Sequence, residues 1–264
     1  MFSTEILFYI VLGFVAQLVD GALGMAYGLI ASSVLLASGT PPALASASIH
    51  AAEIVTTGLA GASHVWNRNI DWKLFKRLAP AGVVGGVIGA YVLIGLPEAL
   101  VKALVTIYLI GMTILVARRI WTESKVRRKS TAQRERAVPT IPLGAAGGFC
   151  DAIGGGGWGP IVTSTLIARG DQPRQSIGSV SLAEFFLTLS ISVAFVTALD
   201  LSQYGLVVLG LIVGGALAAP LAGILSRVLP ARTLMIMVAL VVGALAIYSL
   251  ARLATTLTAG AAGH

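Results

Sequence analysis

Asp151-Ala152-Ile153-Gly154-Gly155-Gly156-Gly157-Trp158-Gly159-Pro160 interrupts the apolar stretch Pro139–Arg169. Asp20-Gly21-Ala22-Leu23-Gly24 interrupts Glu5–Ser38 in the same way. Slid by 131 residues, Asp20–Thr57 lies on Asp151–Thr188 without a gap, and 13 of 38 positions are identical. Among the pairs are Asp20/Asp151, Gly24/Gly155, Gly28/Gly159, Pro42/Pro173, Ser48/Ser179, Glu53/Glu184 and Thr57/Thr188, with Tyr27 opposite Trp158. The chain is an internal duplication, and each copy carries a glycine break.

The composition says where these breaks lie. The chain has 264 residues, 56% hydrophobic and only 11% charged, with a mean hydropathy of +0.90. A soluble domain carries about 25% charged residues. A water-soluble enzyme, a disordered chain and a nucleic-acid reader are excluded, which leaves a polytopic helical membrane protein. The single cysteine, Cys150, rules out an intramolecular disulfide. Arg118, Arg119, Lys125, Arg127, Arg128, Lys129, Arg134 and Arg136, opposed by Glu123 and Glu135, supply +6 of the net +7. Between two apolar halves this is the positive-inside signal of a cytoplasmic loop. The expected division is a first membrane repeat over 1–117, a basic loop over 118–138 and a second repeat over 139–264. Ile6–Val19 has no preceding Lys or Arg and reads as mature chain, not as a removed signal.

Six stretches suit helices of about 20 residues that cross a bilayer. They are Ala43–Trp66, Leu74–Leu93, Leu100–Ile120, Ile177–Ala198, Tyr204–Leu225 and Leu234–Leu253. The interrupted regions do not fit. Each half-segment has about 10–15 helix-compatible residues, short for a crossing, and glycine costs roughly 1 kcal/mol per residue in a helix interior. They are predicted as re-entrant hairpins or broken helices. If Pro139–Arg169 returns to its own side, Arg68, Lys73, Lys76, Arg77, Arg169, Arg174, Arg227 and Arg232 all fall in the cytoplasm, and Asp200 falls outside. Three spans per half is an odd number, so the halves are inverted. The expected fold is an all-α polytopic membrane protein of two inverted repeats. Each repeat is one re-entrant or broken helical unit plus three transmembrane helices.

Asp20, Glu53, Asp151 and Glu184 are the acidic residues away from turns and ends. A carboxylate at membrane depth marks a pathway or a paired contact. Glu53 and Glu184 fall near the midplane. One reading is proton coupling, since burial makes a carboxyl group easier to protonate. The other is structural, with each glutamate accepting hydrogen bonds from unwound glycine backbone. After each break, where the binding candidates are Gly24, Met25, Ala26, Tyr27, Gly155, Gly156, Gly157 and Trp158, a new helix starts, near Met25-Ala26-Tyr27-Gly28 and near Gly157-Trp158-Gly159. Its first N–H groups lack partners and form an anion site. Close helix packing is the rival explanation of the glycines, and it is the one assigned to Gly85-Gly86 and Gly214-Gly215. Ser46, Ser48 and His50, with Ser176, Ser179 and Ser181, are polar lining candidates at helical spacing. Bonding to their own helix is the alternative for the serines. His50 aligns with Ser181 and breaks the symmetry. Tyr27 and Trp158 are candidates to gate the site or simply to pack. No catalytic motif, metal-ligand spacing or cofactor loop occurs, so neither an enzyme nor a metal or cofactor is expected.

These residues resemble the sulfite exporter TauE/SafE family of membrane transporters. The resemblance rests on Val19-Asp20-Gly21-Ala22-Leu23-Gly24-Met25, on the glycine-rich Asp151–Pro160, and on Pro42–Glu53 repeated at Pro173–Glu184. It covers nearly the whole chain. In the first half, Gly-Ala-Leu-Gly-Met stands where the family has a fuller glycine run. The resemblance implies a secondary transporter that moves sulfite or small organosulfonates across the bacterial inner membrane by alternating access. The rivals are an anion channel and a membrane-embedded subunit or enzyme of sulfur metabolism. The expected partners are a small sulfur-containing anion and membrane lipid, not nucleic acid, and homo-oligomerisation stays open.

Overall fold

The structure is a computed structural model that describes residues 2–126, 139–168, 170–200, 202–228 and 230–261. All its regular elements among these residues are helical. The first repeat contains α1 (Phe2–Leu23), α2 (Tyr27–Ala37), α3 (Pro42–Trp66), α4 (Trp72–Gly95) and α5 (Glu98–Val126). The second contains α6 (Thr140–Gly154), a π-turn (Gly159–Thr163) continued by α7 (Ser164–Ala168), then α8 (Pro173–Ala198), α9 (Gly205–Val228) and α10 (Ala231–Ala261). The six predicted spans fall on α3, α4, α5, α8, α9 and α10. Residues 127–138 of the predicted basic loop lie outside the described residues.

The chain is an all-α, multi-pass membrane protein. Thr4–Leu23, Trp72–Gly95, Glu98–Arg118, Pro173–Ala198 and Arg232–Ala251 are long and apolar enough to cross a bilayer. Helix α3 has the length, at 25 residues, but carries His50, Glu53, Thr56, Thr57 and His64. The outward faces present Val84, Ile88, Ile107, Ile114, Leu240 and Ile247. Such a girdle suits lipid rather than water.

The first break is displaced from its expected place. Helix α1 runs through Asp20-Gly21-Ala22-Leu23 and stops only there. Its 22 residues also exceed the half-segment expected from the sequence. Ala22 and Leu23 are strong helix formers, and the helix ends at Gly24, which takes a left-handed φ of 69°. Gly155 ends α6 in the same way at φ 70°. A glycine just past a helix end adopts this conformation without a Cβ penalty.

The repeats cross. Helix α1 lies along α9, and α6 lies along α4, so each first helix packs on the other repeat. Without a hydrophobic driving force between helices in lipid, close approach needs small residues. Gly214 faces the Ile10 carbonyl, and Gly85 faces the Ala145 carbonyl. Helices α3 and α8 pair with opposite chain direction: Gly58 meets Phe185, and Gly61 meets Leu182.

One end of the molecule gathers several turns. Asp71 accepts hydrogen bonds from Lys73 N (2.8 Å) and Leu74 N (3.1 Å) and so caps α4. The Arg174 side chain donates to Asn69 Oδ1 at 2.6 Å. A cleft of about 380 Å³ here is lined by Asp71, Lys73, Arg77, Thr140, Gly170 and Ser176, among others. Thr140 begins α6 and Gly170 follows α7. The broken unit of the second repeat therefore enters and leaves at the same end.

Candidate functional site

Each break is closed by an aspartate from the helix before it. Asp151 Oδ1 accepts from Gly157 N (2.5 Å) and Trp158 N (2.8 Å). Asp20 Oδ1 accepts from Ala26 N (2.7 Å) and Tyr27 N (3.1 Å). The donors are also mates, since Ala26 and Tyr27 lie 131 residues before Gly157 and Trp158. A carboxylate at a helix start satisfies orphan amides and complements the dipole. This corrects one sequence reading: aspartates, not Glu53 and Glu184, accept from the unwound backbone. The sequence points to the helix starts, but it does not show that a residue six or seven positions earlier reaches across the break.

The two breaks touch. A Cβ on Gly28 would collide with the Gly155 carbonyl and Gly156 Cα. A Cβ on its mate Gly159 would lie 2.9 Å from Met25 Cα and 3.0 Å from the Gly24 carbonyl oxygen. Here the missing side chains permit backbone to meet backbone.

Polar groups of α2, α3 and α5 hold the second break. Ser32 Oγ donates to the Gly154 carbonyl (2.6 Å), Ser46 Oγ to the Ala152 carbonyl (2.6 Å) and the Tyr108 hydroxyl to the Gly156 carbonyl (2.8 Å). His50 Nε2 lies 3.1 Å from Asp151 Oδ2, and its Nδ1 lies 2.7 Å from the Ser46 carbonyl oxygen. Tyr27 and Trp158 are buried, with hydrogen bonds from the Tyr27 hydroxyl to the Leu211 carbonyl (3.3 Å) and from Trp158 Nε1 to the Val180 carbonyl (3.1 Å). Both are packed in place in this conformation.

Glu53 is buried on α3, and Glu184 is half-buried on α8. The two lie within electrostatic range of each other and of Asp20 and Asp151. The predicted acidic set is thus brought together at the breaks. The serines divide. Ser48 Oγ is buried with no hydrogen-bond partner, as is Gln17 Oε1. Ser179 Oγ accepts from Asp71 N at 2.8 Å and so ties α8 to the start of α4. Ser181 is half-buried on α8. Sequence reasoning missed Tyr108 and Ser32. Tyr108 falls in an apolar span outside the aligned repeat segments, so no spacing could have flagged it. No group of three or more His, Cys, Asp and Glu side chains among the described residues is placed to hold a metal.

Residues 9–249 match the family model described as sulfite exporter TauE/SafE. The chain is 38% identical over 220 residues to a probable membrane transporter protein, YtnM, of Bacillus subtilis (strain 168). That alignment covers 83% of this chain and 73% of the relative. No solved structure matches.

Proposed function

Given that this chain belongs to the sulfite exporter TauE/SafE family, a family of membrane transporters and not of enzymes, we propose that it is a secondary transporter that carries sulfite or a small organosulfonate across the bacterial inner membrane. The observation that carries this reading is the direct backbone contact of the two breaks, Gly28 on Gly155-Gly156 and Gly159 on Gly24-Met25. Irregular backbone at membrane depth lines a solute site or is buried in protein, and helix starts favour anions.

The two repeats are inverted in the membrane in this reading. The opposed α3–α8 pair and the return of the second broken unit to its own end support it. The end that holds Arg68, Lys73, Arg77 and Arg174 is cytoplasmic. The solute competes with Asp20 and Asp151 for the amides of Ala26, Tyr27, Gly157 and Trp158. Gly24, Met25, Gly155 and Gly156 shape the approach, and Ser48, His50, Ser179 and Ser181 line it. An anion entering among Asp20, Glu53, Asp151 and Glu184 meets like charge unless protons enter with it, which favours proton coupling through Glu53 or Glu184. Alternating access then exposes the breaks to one side at a time.

Purified protein in liposomes tests this with sulfite, sulfate, thiosulfate, taurine and sulfoacetate, each with and without a pH gradient. Saturable flux of sulfite or a sulfonate that responds to the gradient supports the reading. Flux that rises linearly with concentration points to a channel, and no flux of any of the five refutes the proposed substrate class.

A further inference from the structure

We infer that His50 and Asp151 together hold one shared proton, and that this proton fixes Asp151 in the position from which it caps the amides of the second break. The inference deepens the transport reading and rests on it for its functional meaning, but the proton count itself follows from hydrogen-bond geometry. His50 Nδ1 lies 2.7 Å from the Ser46 carbonyl oxygen. A carbonyl oxygen only accepts, so Nδ1 carries a hydrogen. The Ser46 hydroxyl, 3.2 Å from Nδ1, already donates to the Ala152 carbonyl, and so it too faces Nδ1 as an acceptor. The other ring nitrogen, Nε2, lies 3.1 Å from Asp151 Oδ2, and both side chains are buried.

One hydrogen must lie between Nε2 and Oδ2. Imidazolium against carboxylate and imidazole against carboxylic acid differ only in which atom holds it. Without it, the bare Nε2 lone pair faces a carboxylate oxygen in a buried site, and the contact becomes repulsive. The other oxygen of the same carboxylate, Oδ1, holds Gly157 N and Trp158 N. The shared hydrogen therefore holds Asp151 in the one orientation in which Oδ2 meets His50 and Oδ1 caps those amides. The first break lacks this device, because the mate of His50 is Ser181. The groups facing the pair are Glu53 on α3, Glu184 on α8, Tyr108 on α5 and Cys150 on α6. None of them is a cation, so the shared proton is the positive charge that the neighbourhood supplies.

Nuclear magnetic resonance of the full chain in nanodiscs, with ¹⁵N-histidine and ¹³C-aspartate labels, counts this proton at neutral pH without any transport assay. The expected result is a hydrogen on Nδ1 and one more on either Nε2 or the Asp151 carboxyl. A bare Nε2 beside an ionised Asp151 overturns the inference. In nanodiscs, His50→Gln keeps a donor toward Asp151, whereas His50→Leu offers none. The Gly157 and Trp158 amides should stay protected from hydrogen exchange in His50→Gln and lose about tenfold or more of that protection in His50→Leu. Equal exchange in the two variants overturns the positioning role. Absence of anion flux in the wild-type protein would instead refute the transport reading, and the resonance count would still decide the shared proton.

Discussion

Thr57 Oγ1 and Thr188 Oγ1 lie 3.4 Å apart, although the residues are separated by 131 positions, which is the offset of the internal repeat. In the proposed inverted arrangement, a residue that touches its own mate lies on the pseudo-two-fold axis. The glycine breaks obey the same relation: Gly28 meets Gly155-Gly156 while Gly159 meets Gly24-Met25. The duplication seen as a line of identities is, in three dimensions, a crossing point.

The crossing leaves no room for a methyl group. Gly28→Ala or Gly156→Ala should destabilise the fold by about 1–3 kcal/mol, the usual range for overpacking. Gly111→Ala on α5 meets nothing within 4 Å and should be neutral or stabilise by up to ~1 kcal/mol. Thermal unfolding in detergent measures both, and equal midpoints for Gly28→Ala and Gly111→Ala would show that the breaks do not touch.

The aspartates are unequal in burial and in partners. Asp151 is buried, caps two amides and contacts His50; Asp20 is half-buried and caps two amides only. Asp151→Ala should therefore cost about 3 kcal/mol, and Asp20→Ala about 1–2 kcal/mol. Denaturation in mixed micelles gives the order, and a larger loss for Asp20→Ala would contradict it.

Tyr108→Phe removes the donor to the Gly156 carbonyl but leaves the ring packed on Gly154 and Gly157. A loss of about 1 kcal/mol is expected. The same thermal assay checks it, and an unchanged midpoint would mean that the break holds itself in place.

The proposed orientation has a direct chemical readout. Cysteines placed one at a time at Gln172 and Asp200, both exposed, in a Cys150→Ala background should label from opposite faces of sealed vesicles, with Gln172 reactive from the cytoplasmic face. Labelling of both from one face would break the inverted arrangement.

Much of the fold is legible in the sequence because lipid imposes a length on every span. Six apolar runs bounded by Pro, Gly and Asn turns have few alternatives. The repeat also reads directly, because Asp20, Gly24, Gly28 and Glu53 recur at one offset. The sequence does not show where the first helix stops. Asp20-Gly21 looks like a break, yet Gly24 alone has the left-handed φ that ends α1. Nor does it show what the aspartates hold, since a capping contact across six or seven residues follows from the turn geometry and not from a motif. His50 stands out in the sequence only as an asymmetry. Its reach to Asp151, 101 residues away, depends on the crossing of the repeats. Ser32 sits opposite Thr163 in the repeat, but its reach to the Gly154 carbonyl also follows only from the crossing, and Tyr108 lies outside the aligned segments.

The central claim is that the paired breaks receive the solute, and hydrogen exchange in nanodiscs, with and without sulfite, tests it most directly. Backbone amides of residues 24–28 and 155–159 should exchange more slowly when sulfite is present, in both repeats together. Sulfite that is carried across the membrane while exchange at both breaks stays unchanged would contradict the claim.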